Sequence, residues 1–297
     1  MQLRFHPRTC IAGILSLVVP TVSMVAMGQQ PQRVATAVAR PQEAAEPVDP
    51  QLDQLLNEWE AKTAGIKKLR GSFERYEYDS VFLVEKRAVG RFWYEAPDLG
   101  RMDFEPGEVP PGGVNPDMKG PNGEPYEVKA EIPQQWICTG KAILSIDESQ
   151  KTYNRIAIPP AMQGDNIVHS PLPFLFGMKA EAAKKRYKLQ LGAMHNPDGQ
   201  LEGKPLRIHV VARPKMQIDK REWSRAEILL HHKFFVPEAI QLKDPTGNKT
   251  TTYVFPLTGM HGNERLPWIP SPFSVRLDKY QLIQDVTAAP QQGAATR

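Results

Sequence analysis

The sequence predicts a mainly β fold of the α+β class: a curved, unclosed antiparallel half-barrel of about ten strands, covered by helices. Three observations predict it. Beyond Leu69 the chain repeatedly alternates apolar with polar residues between turn-like segments, as half-buried strands do. One amphipathic helix precedes these segments, and one apolar helical insertion interrupts them. A sheet that curls without closing has a concave face that must be covered, and these two helical pieces are the expected cover.

The N-terminus has the order of a secretory signal. Two arginines precede an uncharged apolar run from Ile11 to Met27, and Ala26 and Gly28 are the small residues that come before a cut. We expect residues 1–28 to be a signal peptide cleaved after Gly28, and the protein to be periplasmic or otherwise exported. The alternative is an uncleaved anchor helix, because the run approaches the roughly 20 residues that span a bilayer.

Composition sets the domain organisation and excludes some partners. Without residues 1–28, 35 basic residues face 33 acidic ones, a net charge of +2 that does not indicate nucleic acid. Cys138 is then the one cysteine, so we expect no intramolecular disulfide and a buried strand residue. Residues 29–50 and 288–297, rich in Gln, Ala and Pro, are expected to be a disordered linker and tail. Residues 51–287 are expected to form a single domain.

The first ordered element is an amphipathic helix in LDQLLNEWEAKTAGI. Leu52, Leu55, Leu56 and Trp59 lie on one face at helical spacing, and Gly65 ends the helix. Such a stripe needs an apolar partner. We expect that partner to be the concave face of the sheet.

Beyond this helix the period changes to that of strands. Phe73 alternates with polar residues in LRGSFERYEYDS, and in KRAVGRFWYEAP Phe92 and Tyr94 share one face while Trp93 takes the other. Neighbouring segments are expected to pair antiparallel. The proline- and glycine-rich residues 106–125 are too long for a hairpin turn and are expected to be an exposed loop or lid. The other strand segments are GRMDFEP, YEVKAEIPQQWICTG, KAILSIDES, KTYNRIAIP, RYKLQLGAM, PLRIHVVARP, WSRAEILLHH, FFVPEAIQLKD and NKTTTYVF.

The stretch HSPLPFLFGMKAEAAKKRY is the helical insertion. Ser170 before Pro171 is a typical helix start. Leu172, Leu175 and Phe176 follow at positions i, i+3 and i+4. They predict a short broken helix with an apolar underside and a basic far end.

The basic far end consists of Lys184, Lys185, Arg186 and Lys188. We expect a solvated helix end whose cations interact favourably with the helix dipole. The alternative is that this cluster attracts anionic head groups near the lid.

The order of these motifs resembles a known fold. A helix with a tryptophan, Leu69-x-x-x-Phe73 opening a strand, GRFWYEAP, Trp136 leading to Gly140-Lys141, and PLPFLFG before RYKLQL are similar to the LolA-like periplasmic lipoprotein carrier fold. More closely, WICTGKAILSIDESQK, PLPFLFGMKAEAAKKRY and the later RPK…D…W…AEILL resemble a family of exported planctomycete domains with no assigned activity. The resemblance covers about residues 50–256.

The resemblance implies a lidded cavity. In the carrier fold, helices cover an unclosed antiparallel barrel, and the apolar space between them holds the acyl chains of a lipoprotein. Here the lid would be Leu52 to Ile66 and Leu172 to Met178. The carriers keep an arginine immediately before the proline of the GRFWYEAP-like motif, tied to opening the lid, and this chain has Ala96 there. Lipoprotein transport is therefore one use of such a cavity among others.

Catalytic constellations do not occur in the sequence. It contains no G-x-S-x-G motif, phosphate loop or dinucleotide fingerprint. His231 and His232 are adjacent and would point to opposite faces of a strand, while His209 is expected to be a strand residue satisfied locally. Asp147 and Glu148 are expected to be solvated turn acids. We expect no enzyme activity, no catalytic residues, no cofactor and no metal site, with hydrolysis of an unrecognised kind as a minor alternative.

These observations predict a non-enzymatic cell-envelope protein that binds an apolar ligand, a lipid or an acylated polypeptide, between half-barrel and lid. The alternative is an envelope sensing or interaction module with a packed interior that binds a protein partner. The expected partners are accordingly a lipid, a lipoprotein or an envelope protein, with no stable transmembrane span after signal cleavage. The residues expected to line the ligand space are Leu55, Trp59, Phe73, Phe92, Tyr94, Leu172, Leu175 and Phe176.

Overall fold

The computed structural model of the chain describes residues 49–158, 160, 179–192, 207–264 and 268–287. The helices in these ranges are α1 (Pro50–Thr63), α2 (Ala180–Arg186) and α3 (Gln217–Glu222). The strands are β1 (Lys68–Asp79), β2 (Val84–Glu95), β3 (Leu99–Pro106), β4 (Val114–Lys119), β5 (Pro125–Ala130), β6 (Gln134–Thr139), β7 (Ala142–Asp147), β8 (Thr152–Ala157), β9 (Tyr187–Leu191), β10 (Arg207–Pro214), β11 (Arg225–His231), β12 (Pro237–Lys243), β13 (Lys249–Val254), β14 (His261–Gly262) and β15 (Gln281–Thr287).

The strands join in one unclosed sheet. Its main path runs β15-β8-β7-β6-β3-β2-β1-β13-β12-β11-β10-β9, while β14 pairs with β1, and β5 pairs with β4 and β2. All described pairings are antiparallel except β15 with β8 and β5 with β2. The predicted fold class, a mainly β antiparallel sheet that does not close, is therefore confirmed.

Helix α1 forms where its sequence predicts it. Asp49 caps the helix by accepting a hydrogen bond from the Gln51 N–H at 2.9 Å, and Pro50 takes the first turn, where proline costs no hydrogen bond. Leu52, Leu56 and Trp59 are buried at 2–4% exposure. The predicted apolar stripe thus packs against the concave face of the sheet.

The strand count of about ten is wrong: the described residues form fifteen strands. YEVKAEIPQQWICTG is two strands rather than one, because the chain leaves the ladder at Glu131 and Pro133 cannot donate to one. The short β14 and the C-terminal β15 were not predicted. Strand β15 lies beyond the last segment with clear alternation.

Residues 106–125 are also not simply an exposed loop. They contain β4, which pairs with β5, and β5 in turn pairs with the first residues of β2. Asn115 is buried at 7% exposure and donates its side-chain amide to the Glu85 carboxylate, itself fully buried. The tract therefore covers part of the sheet. The hydrogen bond between Asn115 and Glu85 satisfies the two polar side chains that are buried by this contact.

The part of the convex face around β6 and β7 is covered by the residues from 268 to 280. Ile137, Leu144 and Ile146 form a second buried cluster, against which Val275, Leu277 and Tyr280 pack. Arg101 donates to the Pro272 carbonyl at 2.8 Å, which fixes the segment across β3. We call residues 268–280 the C-terminal strap.

Other predictions fall on residues outside this description. They concern the signal peptide or anchor helix (1–28), the linker (29–50, of which only residues 49 and 50 are described) and the tail (288–297). Among the described helices, none has both the length and the apolar composition needed to span a membrane.

Candidate functional site

Five of the eight predicted lining residues belong to one apolar cluster on the concave face. Trp59, Phe73, Phe92 and Tyr94 are buried members of it, and Leu55 is partly buried and packed against it. The other three, Leu172, Leu175 and Phe176, lie outside the described residues. The structure therefore brings together every predicted lining residue that it describes.

Two glycines position the central phenylalanines. Cross-strand pairing places Phe73 of β1 opposite Gly90 of β2, and Gly71 opposite Phe92. A Cβ on Gly90 would lie 2.6 Å from Cζ of Phe73, and one on Gly71 would lie 2.9 Å from Cε1 of Phe92. Each ring thus occupies the space that a side chain on the opposing strand would take. The repeated Gly-x-Phe in GSF and GRF is the sequence signal for this arrangement.

The sequence reasoning missed two aromatic residues at the centre of the cluster. Phe104 of β3 packs edge-on against Phe73, with ring centroids 5.0 Å apart, and Phe255 packs edge-on against Phe92 at 5.6 Å. All four rings are at most 2% exposed. Phe104 follows from the alternation of GRMDFEP, and Phe255 follows from that of NKTTTYVF, two residues after the buried Tyr253. The interior beneath α1 is therefore filled by rings.

Trp59 carries a polar atom into this apolar space. The side chain is 4% exposed, and its Nε1–H has no hydrogen-bond acceptor among the residues that the structure describes. A buried donor without an acceptor costs about 1–3 kcal/mol. Tryptophan N–H groups usually find a partner when buried, and none of the described residues is that partner here.

The two helices over the concave face are joined by polar contacts. The Glu60 carboxylate of α1 accepts a hydrogen bond from the Ala180 N–H at the first turn of α2, at 2.8 Å. Lys184 of α2 lies 2.6 Å from the Asp53 carboxylate of α1. The helices therefore run antiparallel, side by side. We call the Glu60–Ala180 and Asp53–Lys184 contacts the helix latch.

The predicted basic cluster is partly neutralised. Lys184 also pairs with Glu181, and the neighbouring carboxylates raise the pKa of its ammonium. Arg186 binds Asp219 of α3 through two hydrogen bonds of 2.6–2.7 Å. These two cations therefore hold elements of the protein together, which weakens the alternative that the cluster attracts anionic head groups.

A buried ion pair borders the aromatic rings. Arg75 of β1 is 4% exposed, binds the Glu131 carboxylate, and lies with its guanidinium 4.9 Å from the centroid of the Phe104 ring. Burial raises the pKa of the adjacent Tyr253 hydroxyl to about 12, so this tyrosine stays neutral. The sequence reasoning missed this pair, because Arg75 stands in a strand whose other charges are mostly exposed or half-buried.

The residues considered for chemistry have structural roles. Nε2 of His209 lies 2.9 Å from Glu227 on the neighbouring strand, as expected of a locally satisfied histidine. Asp147 accepts hydrogen bonds from the Ser149 and Gln150 N–H groups of its turn, and Glu148 pairs with Lys151. Within the described part of the chain, no group of three or more His, Cys, Asp or Glu side chains could hold a metal ion.

The prediction that His231 and His232 point to opposite faces is wrong. Their rings stack with centroids 4.8 Å apart and 27° between planes. The reason is that β11 ends at His231, so His232 already belongs to the turn. Cys138, by contrast, is the buried strand residue that was expected, and burial raises the pKa of its thiol.

Two shallow clefts open on the convex face. Their volumes are about 400 and 190 Å³, and both are lined by Ser72 and Arg91, whose side chains project away from the concave face. Helix α1 lines neither cleft. Phe73 borders the larger cleft and Phe92 borders the smaller one, so both clefts reach the strands that carry the predicted lining residues.

No protein-family model matches the chain, and no curated protein matches it. Solved structures are similar to it at low identity. An uncharacterized conserved protein from Thermus thermophilus is 10% identical with a TM-score of 0.38, over 79% of this chain and 99% of the other. A LolA superfamily protein from Nitrosomonas europaea is 8% identical with a TM-score of 0.33, over 72% and 94%. The MucA/MucB complex from Pseudomonas aeruginosa matches at 11% identity and a TM-score of 0.33, over 71% and 58%. Since these TM-scores are low, the fold of this chain is defined by its own sheet and helices.

Proposed function

We propose that the protein is an exported, non-enzymatic binding protein of the cell envelope. It holds an apolar ligand, a lipid or an acylated polypeptide, between the concave face of the sheet and the helices over it. The observation that carries this proposal is the convergence of Leu55, Trp59, Phe73, Phe92 and Tyr94 beneath α1. Residues selected from sequence as ligand-lining form one continuous apolar surface there.

Two further features support a ligand at this place. The Trp59 N–H is buried without an acceptor among the described residues, and an ester or amide oxygen of a bound lipid or acyl group would satisfy it. The latch joins α1 to α2 through polar contacts such as Asp53–Lys184, which open in water at little cost. Opening the latch would free the two helices from each other, so that one could shift over the sheet to admit a ligand while the other stays packed.

Native mass spectrometry with lipid extraction tests the proposal. The full chain is purified gently from its own envelope beside two variants of α1. Leu55→Asp places a charge against the apolar cluster, whereas Gln54→Asp makes a similar change on the exposed side of the same helix. We expect bound lipid in the wild type and in Gln54→Asp, and loss of that lipid in Leu55→Asp. Leu175→Asp tests the same loss in the apolar insertion.

A second candidate function is an envelope sensing or interaction module that binds a protein partner. The observation that favours it is the filled interior: the rings of Phe73, Phe92, Phe104 and Phe255 are in direct contact. The exposed pair Val81 and Phe82 offers a surface for such a partner, at 60% and 76% exposure. A lipid-free wild type that captures the same membrane protein with and without added lipid would replace the first proposal by this one.

A further inference from the structure

A row of apolar side chains leads across the concave face from the proposed ligand site to the open edge of the sheet. Cross-strand pairing places Cys138 opposite Ile143, Ile143 opposite Ile156, and Ile156 opposite Val286. Tyr94 continues the row on the other side of β3. Directly opposed residues project from the same face of a sheet. We call these five residues, Tyr94, Cys138, Ile143, Ile156 and Val286, the apolar row.

The exposure of this row rises towards the edge. Tyr94 and Cys138 are 8% and 5% exposed and belong to the core cluster, and Ile143 is partly buried and packed against it. Ile156 and Val286 are 36% and 39% exposed. The row is therefore continuous with the ligand site at one end and open to solvent at the other.

The row is bordered by polar side chains on one flank. The adjacent register across the same strands places Ser145 opposite Asn154, and Asn154 opposite Gln284. On the other flank Ile158 is 8% exposed and already packed in the core cluster, so the solvent-exposed apolar strip is one residue wide at its open end. A docked helix would need an apolar stripe wider than this, whereas a single extended alkyl chain needs a track of about this width.

Addition of another strand at the β15 edge fits the structure less well. The register between β15 and β8 shifts between Leu282 and Gln284, which leaves Ile283 as an extra residue. Such bulges disturb an edge and oppose further strand pairing. The exposed apolar side chains of the row are better explained by an occupant that lies on the face of the sheet.

We infer that the apolar row is the entry track by which an alkyl chain reaches the space beneath α1, an inference that rests on the proposed function. The chain enters over Val286 and Ile156, crosses Ile143 and arrives at Cys138 and Tyr94. Strands lie ~4.8 Å apart, so the track from β15 to β6 is about 14 Å long. The occupant is the alkyl part of a lipid or acyl group, since each row residue from Ile143 to Val286 is an aliphatic side chain.

Stopped-flow binding of a dansyl-labelled undecanoic acid to the full chain tests the track. Ile156→Asn and Val286→Asn each introduce a polar amide in the row. We expect association and dissociation rate constants to fall together by about tenfold, the effect of losing one buried aliphatic contact on the path. The equilibrium affinity should change little, because the final site is intact.

Ile283→Asn is the matched control. It makes the same chemical change on the same strand, at a residue that is 61% exposed and outside the row. We expect wild-type rate constants for it. If Ile156→Asn and Val286→Asn have the same rate constants as Ile283→Asn, while the wild type binds the probe, the track is overturned and the proposed function stands. A wild type that binds no probe would overturn the proposed function, and the track with it.

Discussion

Strands β1 and β2 and strands β8 and β15 contribute to the same concave face but lie in different environments. Phe73 and Phe92 on the first pair are 1% and 0% exposed, whereas Ile156 and Val286 on the second are 36% and 39% exposed. Both pairs present apolar side chains to that face. The difference is the packing: Phe73 and Phe92 lie in the core cluster to which α1 contributes, whereas the outer residues of the row stay in contact with solvent. Strand alternation therefore reports which face a residue takes, and the helices decide how deeply it is buried.

The largest expected effect is on the covered side. Phe92→Ala removes a fully buried ring that contacts Phe255 and lies over Gly71. We expect a loss of about 3–5 kcal/mol in the free energy of unfolding, from lost transfer energy and the cavity left behind. Urea denaturation measures it. A loss below about 1 kcal/mol would mean that the interior beneath α1 is loosely packed, and would remove the contrast between the two regions.

The helix latch determines how firmly the covered side stays covered. We expect the Asp53–Lys184 pair to contribute little to the free energy of unfolding, because Asp53 is 41% exposed and water screens the pair. A double-mutant cycle with Asp53→Asn and Lys184→Met measures the coupling, and hydrogen exchange of the α2 amides reports opening. Lys185→Met on the same helix is the control. Coupling near zero, with unchanged exchange, would mean that the pair does not hold the cover.

The contacts of the C-terminal strap on the convex face should depend on pH, whereas the packing of the concave core should not. Hydrogen bonds from Arg70 and then Trp268 lower the pKa of the Glu264 carboxyl from 4.5 to about 2. A depressed folded-state pKa contributes stability above pH 4.5, and this contribution is lost as pH falls towards about 2. We therefore expect Trp268, the first residue of the C-terminal strap, to detach in that window, while the concave core keeps its packing.

Thermal unfolding between pH 6 and pH 2, a window set by that shift, measures this effect. Glu264→Gln should flatten the decrease in melting temperature below pH 4.5 relative to wild type. Glu105→Gln is the control, since Glu105 is exposed and forms no ion pair among the described residues. An identical decrease in Glu264→Gln and wild type would show that Arg70 and Trp268 do not hold the strap in this way.

The sequence predicts the covered side better than the open one. The helical stripe of Leu52, Leu56 and Trp59 and the alternation around Phe73 and Phe92 identify α1, β1, β2 and the face they share. These signals are local, because period and turn residues are properties of neighbouring positions. The helical spacing places Trp59 in the core. It does not predict that the indole N–H lacks an acceptor among the described residues, because this depends on what surrounds the indole.

The parts that were not predicted depend on long-range contacts. Strand β15 pairs with β8 in parallel from more than a hundred residues away, and QLIQDVT carries only a weak alternation. Strand β4 lies in a tract whose prolines and glycines indicate a loop, and its burial depends on the pairing of Asn115 with Glu85. No local pattern specifies such partners, so β15 and β4 could be found only in the folded chain.

The smallest expected effect is on the open side of the sheet, which strands β8 and β15 form. Ile156→Ala removes a half-exposed side chain, and we expect a change within about 0.5 kcal/mol in the free energy of unfolding, measured by urea denaturation beside Phe92→Ala. A loss above about 1.5 kcal/mol would mean that another part of the chain covers β8 and β15 in solution, since only a well-packed aliphatic side chain costs that much to truncate. A near-zero effect of Ile156→Ala on stability, together with slower entry of an alkyl probe in Ile156→Asn, would show that stability and ligand entry depend on different residues of the concave face. The buried rings would then set the stability of the fold, and the exposed aliphatic residues of the row would set the rate of ligand entry.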